Sequence, residues 1–97
     1  MQIDHLVWDD WNIAHIAEHD VEPEEVESVC HTEQHLARRA GITRYSLARY
    51  HLYGQTENGR YLFIVLDREV ASSFYVVTAR DMDESEKRSF KRMRGKR

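Results

Sequence analysis

LARYHLYGQTENGRYLFIVLDREVASSFYVVTAR, residues 47–80, decides the fold of this 97-residue chain. Tyr, Leu, Val, Ile and Phe recur in three runs, 47–56, 60–68 and 73–80, and these residue types fill a pleated, half-buried surface. Three such runs in succession predict an antiparallel meander. The link Thr56-Glu57-Asn58-Gly59-Arg60 is a hairpin turn, and the flanking pattern selects its length. A two-residue Asn58-Gly59 loop would set Tyr53 beside Ile64 and His51 beside Leu66, mixing polar with apolar on each face. A three-residue loop with Gly59 left-handed puts Thr56 opposite Arg60 instead. It aligns Leu52 with Ile64 and Tyr50 with Leu66, and pairs Arg49 with Asp67. A turn at 69–72 that sets Arg68 opposite Ser73 then brings Tyr75, Val77 and Ala79 to the face of Leu62, Ile64 and Leu66. That face is apolar and should carry the helices. The other holds Arg49, His51, Tyr53, Tyr61, Thr78 and Arg80 among Phe63, Val65, Phe74 and Val76.

Upstream, residues 3–8 are apolar and β-leaning and end at Asp9, a residue that caps helices. Over 10–18 the apolar Ile13, Ile16 and Ala17 recur at helical spacing, with Asp9 and Asp10 near the positive end of the dipole. Pro23 suits the first turn of a second helix, where its missing N–H has no partner to lose, and Val26, Val29 and Cys30 form that helix's buried stripe. Downstream, Asp83 and Ser85 offer N-caps to a charged helix over 84–93, whose only long apolar residues are Phe90 and Met93. A basic tail, 94–97, follows. The expectation is one α+β domain over 1–97, of order β-α-α-β-β-β-α, with helices packed on one face of an antiparallel sheet.

Charge is divided along the chain. Residues 1–37 carry ten acidic side chains and no Lys or Arg, whereas residues 38–97 hold all fourteen basic ones against seven acids. The balance of −10 then +7 gives the molecule an acidic and a basic face unless the halves neutralise each other by packing. A basic face can hold a phosphate backbone. One cysteine, Cys30, excludes an internal disulfide. The start MQIDHLVWDD lacks the basic residues and apolar run of a signal peptide, and no apolar run is long enough to span a membrane. The expected setting is the cytoplasm. A core of this size supports a stability on the order of 5 to 10 kcal/mol.

Several features in series carry a resemblance: the Trp8-Asp9 start, a helix with Asn12 and His19, a short link into Glu24-Glu25-Val26, and Gly59-Arg60 before a hydrophobic strand. The ending Val77-Thr78-Ala79-Arg80, followed by Glu86-Lys87-Arg88, completes the series. In order and spacing the chain resembles the BrnT family of bacterial type II toxins, small ribonucleases with a RelE-like fold, from about residue 7 to residue 92. The resemblance implies a metal-independent endoribonuclease without a cofactor. It also implies an RNA substrate and a cognate antitoxin protein that covers the site and through which higher oligomers assemble. The chain has Glu18-His19-Asp20-Val21 where the family usually has Lys-His-Gly-Val, which removes a cation, and Thr78 where the family often has Ser. That loss favours the alternative of a non-catalytic relative binding protein or RNA.

Cleavage by the 2′-OH needs a group to take its proton, a group to protonate the leaving oxygen, and cations for the charge on the phosphorane. Arg80 shares a strand face with Thr78, Tyr61 is expected across from it, and Arg60 starts the neighbouring strand. The catalytic candidates are Arg80, Arg60, His19 and Thr78, with Arg49, His51, Tyr53 and Tyr61 as RNA-binding residues. Structural readings compete. Arg80 can instead pair with Asp9 or Asp10, His19 can serve the C-terminal carbonyls of its helix, and tyrosines in a meander are commonly core edges. His15-Ile16-Ala17-Glu18-His19 also spells H-x-x-E-H, an inverted zinc-protease motif. A domain this small lacks room for the further ligand and cleft of such an enzyme, so no metal is expected.

Overall fold

A computed structural model of the chain describes residues 1–95. Its elements are β1 (His5–Val7), α1 (Asp10–Ala17), α2 (Pro23–Cys30), β2 (Leu36–Ile42), β3 (Ala48–Gln55), β4 (Tyr61–Val70), β5 (Ser73–Asp81) and α3 (Glu84–Gly95). The strands form one sheet in the order β1-β5-β4-β3-β2. The class is α+β, as the pattern predicts. The sheet is mixed rather than wholly antiparallel, because β1 runs parallel to β5 with Leu6 beside Phe74. β2 is an additional strand that the pattern does not announce. Its sequence LARRAGI has a single β-branched residue and a glycine, and it lies largely exposed at the sheet edge, so no apolar alternation marks it. Arg38 and Arg39 on that edge discourage pairing with another sheet.

The β3–β4 hairpin has the expected register: Arg49 faces Asp67, Tyr50 faces Leu66 and Leu52 faces Ile64. Its loop closes through a 2.8 Å bond from the Thr56 N–H to the Arg60 carbonyl, with Gly59 at φ 93°. The β4–β5 register departs from expectation. A tight turn with Ala71 at φ 51° puts Val70 opposite Ser73 and Arg68 opposite Phe74. Phe74 and Val76, both fully buried, therefore take the core positions expected of Tyr75 and Val77. Phenylalanine carries no hydroxyl to satisfy. Tyr75 turns outward, where its hydroxyl donates to the Asp9 carboxylate at 3.1 and 3.2 Å. A bulge at Val77, with Leu66 opposite Val76 but Val65 opposite Thr78, then restores Ala79 to the core.

Two helices lie on the expected face. Ile16 of α1 and Val26 and Val29 of α2 are fully buried with Leu52, Leu62, Ile64 and Leu66. Helix α3 differs: it crosses the opposite face and seats Phe90 against Phe63 and Val65. Phe63, Val65, Tyr53 and Tyr61 make that face apolar enough to need a cover. The caps follow from the sequence. Asp9 accepts from the Asn12 N–H at 2.8 Å, and Asp83 accepts from the Glu86 N–H at 2.8 Å while Glu86 accepts back from the Asp83 N–H at 2.9 Å. Arg94 of the expected basic tail belongs to the last turn of α3 and donates to Gln55 Oε1 at 2.8 Å. Lys96 and Arg97 lie outside the described residues. No helix among the described residues is long and apolar enough to cross a membrane.

Gly54 fixes how closely α2 approaches the sheet. A Cβ there would lie 2.5 Å from Val29 Cγ1 and 3.3 Å from His35 Cβ. Gly54→Ala should therefore push α2 outward and cost about 1–3 kcal/mol, as overpacking of a tight core does. Chemical denaturation would read this as a lower midpoint, and an unchanged midpoint would show that α2 shifts freely.

Candidate nucleic-acid interface

Alternation along β3, β4 and β5 places one polar row per residue pair on the face that α3 partly covers. His51 lies opposite Val65, which lies opposite Thr78; Tyr53 lies opposite Phe63, which lies opposite Arg80. On the far side of β3, β2 adds Arg38 opposite His51 and Leu36 opposite Tyr53. An open groove of about 590 Å³ runs beside this region, with Leu36, Arg38, Tyr53, Glu86, Phe90 and Met93 on its wall. His51 sits half-buried with its ring edge-on to Phe63, centroids 5.0 Å apart. Partial burial lowers its pKa from the ordinary 6.5, and the nearby charges of Arg49, Arg38 and Arg80 lower it further, against Glu86. Both effects favour the neutral imidazole.

The three guanidiniums around it differ in what they hold. Arg49 forms a two-pronged pair with Asp67, 2.7 and 3.0 Å, as the register predicts. Arg80 faces Phe63 rather than Tyr61, with its guanidinium carbon 4.3 Å from the ring centroid. Its fork grips Glu86 at 2.8 and 3.0 Å, not Asp9 or Asp10, because α3 brings that carboxylate across the face. The pair holds the Glu86 carboxyl below its usual range. Arg38 is exposed and makes no hydrogen bond or ion pair among the described residues. It is the cation best placed to meet a phosphate.

The remaining candidates divide. Arg60 lies away from this group and is saturated. Its Nε donates to Asp81 at 2.7 Å, Nη1 to Glu25 at 2.9 Å and to the Asp20 carbonyl at 2.6 Å, and Nη2 to the His19 carbonyl at 3.3 Å. It clamps the α1–α2 link to the start of β4. These contacts, to two carboxylates and two backbone carbonyls, occupy the fork that a phosphate would need. His19 is exposed at the end of α1, its ring edge-on to His15 at 5.6 Å. Thr78 is bonded to His15, Oγ1 to Nε2 at 3.0 Å. Tyr53 packs tilted against Phe63 at 5.2 Å. Tyr61 lies under Phe90 and under the Lys87 and Lys91 ammoniums, 5.7 and 5.1 Å from its centroid, so its ring offers no open face to a base.

A scan against protein-family models and a search of curated proteins found no match to this chain. Residue chemistry therefore carries the functional reading. Arg38 and His15 are the residues that pattern reasoning misses. Arg38 stands on an unannounced strand, and His15 draws notice only as half of a zinc motif. The charge division survives folding. Among the described residues, the pair of Arg60 with Glu25, at 2.9 Å, is the one Lys or Arg salt bridge joining the acidic part to the basic part. The other Lys and Arg bridges, Arg49–Asp67, Arg60–Asp81, Arg80–Glu86 and Lys87–Glu84, lie within the basic part.

Proposed function

We propose that the chain is a metal-independent endoribonuclease resembling the BrnT toxins, with the β3–β5 face as its site. The observation that carries this reading is the His51 imidazole in register with Arg38, a guanidinium unpartnered among the described residues, on a face shared with Arg80 and Arg49. Neutral His51 takes the proton from a ribose 2′-OH, whose oxygen attacks the adjacent phosphorus. The bond from phosphorus to the 5′ oxygen breaks, that oxygen takes a proton from solvent, and a 2′,3′-cyclic phosphate remains. Arg38 offsets the charge that builds on the phosphorane oxygens, and Arg80 joins it once the phosphate displaces the Glu86 carboxylate from its fork. All of these groups are side chains, so no cofactor enters.

Two further observations support the family reading. Asp20 adopts φ 58° where the resembled family has Gly, the residue that such a conformation favours. The strand order is compatible with a RelE-like fold. On this reading the chain acts in the cytoplasm, and its partner is a small antitoxin that covers the face and links copies into higher oligomers. A second reading, a non-catalytic module binding RNA or protein, is favoured by the carboxylates that occupy Arg80 and Arg60 and by Glu18 in place of a lysine.

Incubating the purified protein with single-stranded RNA in EDTA separates the two. Cleavage with cyclic phosphate ends is the expected result. Cleavage abolished by the chelator and restored by zinc would overturn the side-chain mechanism, and intact RNA with measurable binding would establish the second reading.

A further inference from the structure

The most exposed tryptophan of the chain stands on a built ladder. Trp11 is 69% exposed, and its ring stacks on His15 with centroids 5.4 Å apart and planes 14° from parallel. His15 is held from below by Thr78 at 3.0 Å and from the side by His19. The stack is therefore fixed in place, with one broad face of the indole open to solvent. Trp11 lies outside the core, where Asn12 and Ile16 seat the helix, and among the described residues its one ring contact is the stack on His15. Folding gives it no task.

Its position gives it one. In register a single row crosses the sheet from Arg38 and His51 through Val65 to Thr78, and His15 continues that row off the edge of β5. Strands lie about 4.8 Å apart, so Thr78 is roughly 10 Å from His51, with Trp11 one ring beyond His15. The surroundings of Trp11 are acidic: Asp9 and Asp10 precede it on the same helix end. A phosphate is repelled there, whereas a base has a neutral π face that stacks on indole.

We propose that Trp11 is the stacking platform for a nucleobase of single-stranded RNA whose backbone lies on the Arg38–His51–Arg80 face. The proposal rests on the ribonuclease reading for the direction of the strand, but it concerns binding alone. The His15–Thr78 bond makes the platform rigid, so the base meets a surface that is already ordered. Removal of one such base–aromatic contact weakens binding on the order of 10-fold.

A 2′-O-methyl oligoadenylate, which lacks the attacking hydroxyl, tests this without turnover. Titrated into the full chain, it should quench tryptophan fluorescence. In Trp11→Phe the remaining Trp8, whose Nε1 is tied to Glu27 at 2.8 Å, should show little quenching. Trp11→Ala should bind the oligomer about 10-fold more weakly, and should raise KM on cleavable RNA while kcat holds. An oligomer with abasic sites should bind wild type and Trp11→Ala equally. Quenching that persists in Trp11→Phe, or equal affinity of wild type and Trp11→Ala for oligoadenylate, would overturn the proposal. So would Trp11→Ala disrupting only the capture of a protein partner. If the oligomer binds through Trp11 but no RNA is cleaved, the ribonuclease reading fails and the platform stands; normal cleavage with no Trp11 dependence gives the reverse.

Discussion

His51→Ala is expected to lower kcat/KM for RNA cleavage by about 100-fold to 10,000-fold, the range that a positioned general base contributes. The effect should fall on kcat more than on KM, because the imidazole acts on the proton in transit. The pH profile provides the sharper measurement. Partial burial and the charges of Arg49 and Arg38 lower the His51 pKa below 6.5, so the base form is already populated at neutrality. The acid limb of kcat/KM should therefore inflect below pH 6.5, and in His51→Ala that limb should vanish with the activity that it governs. Stability carries the same signature. Between the lowered folded pKa and the unfolded value of 6.5 the unfolded chain binds more protons, so stability due to this group is present above pH 6.5 and is lost as the pH falls. The wild-type Tm should drop more steeply than the variant's from pH 7.5 to pH 5. A loss of rate under ten-fold, or an acid limb that survives the substitution, would remove His51 from the mechanism.

The sequence made that residue visible through one hairpin. Leu52 and Tyr50 can meet Ile64 and Leu66 in only one register, and Gly59 supplies the left-handed position that this register needs, so the polar row of His51 and Arg49 followed. The next hairpin had no such constraint. In SFYVVTA both alternations are apolar, so pattern could not separate Phe74 and Val76 from Tyr75 and Val77, and a bulge has no sequence mark. Side-chain pairing was least legible where it depends on distant elements. Arg80 meets Glu86 because α3 crosses the face that Phe63 and Val65 leave apolar. Arg60 meets two backbone carbonyls of the α1–α2 link as well as Glu25, a convergence of chain segments that no spacing rule encodes. Arg38 could not be placed beside His51 until β2 was known to be a strand.

Asn12→Ala should destabilise the protein by about 2–4 kcal/mol, a large share of a stability on the order of 5 to 10 kcal/mol. Asn12 reads in the sequence only as a point of family resemblance, yet it is fully buried and spends its amide on three bonds. Its Nδ2 donates to the Val7 carbonyl at 3.0 Å and to the Val76 carbonyl at 3.1 Å, and its Oδ1 accepts from the Asp9 N–H at 2.9 Å. One side chain thus ties the end of β1, the cap of α1 and the edge of β5 together. Alanine leaves those three backbone groups without their partner, and at the Val76 carbonyl, where the bond is buried, water is a poor replacement. Asn12→Asp discriminates between lost volume and lost donors. It keeps the shape and the acceptor for Asp9, but it turns a carboxylate toward two carbonyls, so it should be at least as destabilising as alanine at pH 7 and should recover as acid protonates it. Urea denaturation at constant m-value would measure both variants. Aspartate tolerated at neutral pH would show that the amide donors contribute little and that α1 is held to β5 by Ile16 and the cap alone.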